Sequence, residues 1–73
     1  MMTLNRAKTN QNYKVVGFDG NDQILRRFLE LGFSVGEKIK IVSTSLQKKV
    51  MLIELRGYLL SVRADLLSRI FVK

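Results

Sequence analysis

Ile24-Leu25-Arg26-Arg27-Phe28-Leu29-Glu30-Leu31-Gly32-Phe33-Ser34-Val35-Gly36-Glu37-Lys38-Ile39 is the stretch on which the fold turns. Ile24, Leu25, Phe28, Leu29 and Leu31 recur at helical spacing and make one broad apolar face, with Arg26, Arg27 and Glu30 on the other side. Asp22 stands where a helix start needs a side-chain acceptor for its free N–H groups. Gly32 stops the helix, because glycine takes the left-handed conformation without a Cβ clash. Phe33 is placed to fold back on the last turn. A helix of about ten residues is marginal alone, so it must pack across something. After a turn at Ser34 to Gly36, Ile39 and Ile41 alternate with Lys38 and Lys40, the pattern of a half-buried strand from Glu37 to Val42.

Outward from this stretch the chain reads as strands. Before it, Tyr13 to Phe18 is rich in aromatic and β-branched residues, and Gly17 marks a bulge or a close backbone approach. Residues 3–12 are polar and broken, with Leu4 and Ala7 as the apolar points. After it, Lys49 to Arg56 places Met51, Ile53 and Leu55 on one face and Val50, Leu52 and Glu54 on the other, which suggests partial cover on both. Arg56-Gly57 is a tight hairpin turn leading to Tyr58 to Val62. A short helical turn at Ala64 to Ser68 and a last strand at Ile70 to Val72 complete the chain, the last strand pairing with an early one. About five strands at short spacing with one inserted helix predict a mainly β fold, a small barrel in a single domain over residues 1–73.

Composition excludes several kinds of chemistry. The 73 residues include no cysteine and no histidine, so thiolate, imidazole and serine–histidine catalysis have no groups to work with. Asp19 and Asp22 are close in sequence, and a strand end and a helix cap account for them. Six dispersed carboxylates form no dense cation loop, so no metal site and no cofactor is expected. Gly17-Phe18-Asp19-Gly20 lacks a phosphate-binding pattern. The chain reads as no enzyme.

Thirteen basic residues against six acidic ones leave a net charge of +7, which favours a negative partner or simply a solvated surface. Lys14, Arg26, Arg27, Lys38, Lys40, Lys48 and Lys49, with Tyr13 and Tyr58 for stacking, make an RNA- or DNA-binding domain one reading. A self-associating domain with exposed strand edges is another. The leading one is a protein-interaction module. Arg26 and Arg27 can grip carboxylates bidentately or stand solvated. Leu46, in a loop with Lys48 and Lys49, either anchors in a partner pocket or folds back over the core.

The stretch 24–39, with Gly57, Leu59, Ser61, Val62 and Arg63 and the closing Ile70 and Val72, resembles the FeoA family of ferrous iron transport accessory proteins. The resemblance runs from Leu4 to Val72. It implies an SH3-like β-barrel with a helix after the first strand. It also implies a cytoplasmic protein that helps the membrane transporter FeoB take up Fe²⁺ by binding its cytoplasmic region. Members of the family often keep a leucine where Leu46 lies. They also often carry glycine and proline in the loop that is Ser43 to Lys49 here, which has neither. On this reading the partner-binding residues are Arg26, Arg27, Glu30, Leu46, Lys48 and Lys49. Asp22, Leu31, Gly32, Gly36 and Gly57 are architectural. A start at methionine and the span of one domain predict a free-standing protein, and Met1 to Arg6 has no apolar signal stretch.

Overall fold

A computed structural model describes residues 2–73. Its strands are β1 (Met2–Thr3), β2 (Asn12–Phe18), β3 (Lys38–Thr44), β4 (Val50–Leu55), β5 (Tyr58–Arg63) and β6 (Ile70–Val72). Two helices, α1 (Asp22–Leu31) and α2 (Ala64–Leu67), and a 3₁₀ turn at Leu4–Arg6 join them. All the strand pairs are antiparallel, in the order β1-β6-β2-β3-β4-β5.

That order corrects the barrel expected from the sequence and from the family resemblance. The sheet has six strands rather than five, and its outer strands, β1 and β5, do not pair with each other. The physical reason lies in the path of the chain after β5. At Ala64 the chain leaves the sheet as α2, which packs against β5 and against the 3₁₀ turn at Leu4–Arg6. α2 thus bridges β5 and the 3₁₀ turn that follows β1, and β1 and β5 share no ladder. The last strand does pair with an early one, β2, and also with β1, without closing the sheet.

The core is apolar throughout. Leu4, Phe28, Phe33, Ile41, Ile53, Leu55, Leu67, Ile70 and Val72 are wholly inaccessible, and no polar or charged residue is buried with them. On β4, Met51, Ile53 and Leu55 face inward as their alternation predicts, whereas Val50 and Glu54 are exposed and Leu52 is half-buried. One face is fully covered and the other only at Leu52. Leu4 is the surprise of the polar start: the 3₁₀ turn drives it fully into the core.

The helix is pinned by one deep side chain. Phe28 is buried, in contact with Phe18 (ring centroids 5.4 Å apart, stacked) and with Phe33 (6.0 Å, edge to face). Ile24, Leu25 and Leu31 are half-buried, and Leu29 is 59% exposed, so the apolar face is narrower than its composition suggests. The cap lies one residue earlier than expected. Asn21, not Asp22, accepts the Ile24 N–H on its side chain at 2.9 Å, and Asp22 is the first helical residue. An acidic group there still suits the positive end of the helix. Gly17 coincides with a shift in register between β2 and β6.

Candidate functional site: the β3–β4 loop and its flanks

The loop between β3 and β4 is built by one serine. The Ser45 carbonyl accepts the Lys48 N–H at 2.8 Å, closing a tight turn over Leu46 and Gln47. Its Oγ accepts the N–H groups of Lys49 (3.1 Å) and Val50 (3.2 Å), and its own N–H donates to the Val50 carbonyl at 2.9 Å. Lys48 takes a left-handed φ of 57°. A turn followed by one left-handed residue is a common way to close a short hairpin, and it does so here without glycine. Leu46 stands at the tip, fully exposed. It does not fold back over the core.

Two clefts flank this loop. The first, about 610 Å³, lies between the segment Asn5 to Thr9 and the loop, with Lys48 and Ala64 on its wall. The second, about 630 Å³, shares Lys48 and Ala64 and is closed by Lys49, Val50, Arg63 and Asp65. Sequence spacing gave no sign that Arg6, Lys8 and Arg63 join Lys48 and Lys49. They come from three segments far apart in the chain. The signal that could have marked the loop is Ser45, a short polar side chain where a turn needs an acceptor.

Arg26, Arg27 and Glu30 are exposed on α1, and no ion pair joins them among the described residues. They do not share a surface with Leu46, Lys48 and Lys49. The C-terminal end of α1 sits against the opposite end of β4, where Tyr58 donates its hydroxyl to the Leu31 carbonyl at 2.7 Å. The loop meets β4 at Val50, so the six residues of β4 separate the two surfaces, roughly 17 Å at strand rise. Gly32, Gly36 and Gly57 all have positive φ, at 101°, 92° and 82°. The Arg56-Gly57 turn has two left-handed residues in succession, as the two-residue hairpin expected from the sequence requires.

The best-ordered charges are architectural. Arg56 donates to both carboxylate oxygens of Glu37, at 2.9 and 3.2 Å, and Ser34 Oγ adds a third contact at 3.2 Å. The Arg56 hydrogen bond holds the Glu37 carboxyl below the usual carboxylate range. This clamp ties the turn after α1 to the β4–β5 turn. The aromatic groups are also committed. Phe28 and Phe33 are core, and Tyr13 is buried with its hydroxyl accepting the Lys8 N–H at 3.0 Å. No group of three or more carboxylates that could hold a metal ion occurs among the described residues.

Residues 2–73 match the family model of the FeoA domain. A comparison with curated protein sequences finds no match. Among solved structures, a FeoA-like protein from Clostridium acetobutylicum superposes with a TM-score of 0.90 at 26% identity, over 99% of this chain and 84% of its own. FeoA from Stenotrophomonas maltophilia, solved with zinc, gives 0.84 at 26% identity, over 100% of this chain and 91% of its own. That protein is described as a prokaryotic SH3 domain protein and a candidate ferrous iron transport activating factor. FeoA from Chlorobium tepidum gives 0.86 at 24% identity, over 97% and 68%, a likeness of fold. The chain therefore belongs to the FeoA family, as a non-enzymatic protein-interaction domain of that type.

Proposed function

We propose that this chain is a cytoplasmic accessory protein of ferrous iron uptake, which docks on the cytoplasmic region of the FeoB transporter and alters its assembly or activity. Family membership supports the reading. The single observation that carries it to a surface is Leu46, a fully exposed leucine at the tip of a loop that Ser45 holds in shape. A side chain that contributes nothing to the core, on a pre-ordered loop, binds a partner pocket with little entropy left to lose. Arg26, Arg27 and Glu30 form a second, separate contact surface for the same large partner.

Calorimetric titration against the cytoplasmic region of FeoB tests this, at about 50 and about 300 mM salt. Saturable binding that survives the higher salt is expected. Leu46→Ala removes three carbons that docking would bury and is expected to weaken it about tenfold or more. Binding to a random oligonucleotide in place of the transporter region would overturn the reading.

A further inference from the structure

The end of the molecule that carries Leu46 also gathers charge of one sign. Arg6 and Lys8 line the first cleft with Lys48, and Lys49 and Arg63 line the second. Asp65 is the one carboxylate on either wall, and Arg63 already faces it at 3.5 Å. None of the other four cations has an ion-pair partner among the described residues. The two clefts share Lys48 and Ala64, and both are basic.

Two further features select among negative partners. Neither cleft carries an aromatic side chain, so the bases of a single-stranded nucleic acid find no face to stack on. Leu46 stands fully exposed in the loop that supplies Lys48 and Lys49 to the two walls, so a complementary ligand combines carboxylates with an apolar side chain, as a polypeptide does and a phosphodiester does not.

We infer that the two clefts form one groove that receives an acidic, extended segment of a partner protein. Its carboxylates meet Arg6, Lys8, Lys48 and Lys49. An apolar side chain of the segment packs beside Leu46. The inference rests on the docking role proposed for the loop, and it names the chemistry of what docks there.

Fluorescence anisotropy with a short labelled peptide of alternating Asp and Glu around a central Leu tests it. The controls are the Asn/Gln version of that peptide, an oligothymidylate of matching length and phosphatidylglycerol vesicles. The acidic peptide is expected to bind saturably and more tightly than any control. The double variant Lys8→Glu/Lys48→Glu is expected to weaken it about tenfold or more. Lys14→Glu/Lys38→Glu makes the same change in net charge at the other end of β3 from the loop and is expected to cost no more than about twofold. Thermal melts show that both variants are folded.

Equal loss in the two double variants overturns the groove, because net charge alone then explains binding. So does tighter binding of the oligonucleotide or the vesicles. If Lys8→Glu/Lys48→Glu still binds the transporter region normally while Leu46→Ala does not, the groove falls and the docking role stands. If the peptide binds in the groove but neither the transporter region nor the full-length transporter does, the groove stands and that partner falls.

Discussion

Gly32 shows how much one position can carry. Its φ of 101° already disfavours any side chain, and a Cβ there would lie 2.7 Å from Tyr58 Oη and 3.2 Å from Leu55 Cδ2. Gly36 has a similar φ, 92°, with nothing within 4 Å of the same atom. The pair separates strain from collision. Gly36→Ala is expected to cost about 1 kcal/mol from the backbone alone. Gly32→Val adds displaced neighbours to that strain and is expected to cost roughly 3 kcal/mol or more. Chemical denaturation of both variants reads the difference, and equal costs would mean that Tyr58 moves aside freely. The sequence marked Gly32 correctly as the helix stop, since glycine after an amphipathic run has few other uses. It misplaced the cap at the other end by one residue. Asn21 and Asp22 are both good acceptors, and only backbone geometry decides which one flanks the helix. Asn21→Ala is therefore expected to cost about 1 kcal/mol, and Asp22→Ala less, by the same measurement.

At the scale of elements, two cross-strand arrangements pull in opposite directions. Lys14 on β2 is directly opposite Lys38 on β3, and its backbone exchanges hydrogen bonds with Lys73 beyond β6. Like charges opposed in this way are destabilising. Lys14→Glu is expected to stabilise the domain by about 0.2–1 kcal/mol at low salt. The gain should fade as salt rises. Glu37 and Arg56 make the favourable counterpart. The depressed carboxyl of Glu37 contributes stability above its unfolded pKa, and that contribution is lost as pH falls through the folded value. The melting-temperature gap between the wild type and Glu37→Gln is thus expected at neutral pH and to narrow as pH falls below the ordinary glutamate value of about 4.3. Five of the strands, both helices and the β4–β5 turn were legible in the sequence, because period and turn residues agree there. The two-residue β1 was not. It is too short to show alternation, and Leu4 gains meaning only when the core it enters is known.

For the whole molecule, the barrel was the expectation that failed. Closure depends on whether the outer strands meet, and no local pattern in either strand records that. The full lining of the candidate site was hidden in the sequence for a related reason. Leu46, Lys48 and Lys49 were visible as one loop, but Arg6, Lys8 and Arg63 reach the same clefts only through the fold. The open sheet leaves a signature that can be followed in time. The Ala64 N–H donates to the Lys49 carbonyl, so the ladder along β5 bonds the N–H groups of Leu60 and Val62 to β4. Those of Leu59, Ser61 and Arg63 point away from β4, toward the edge that no other strand covers. In deuterated water, amide exchange along β5 should alternate residue by residue, with 59, 61 and 63 labelled early and 60 and 62 late. A bound partner strand would silence the early set and leave the late set as it was.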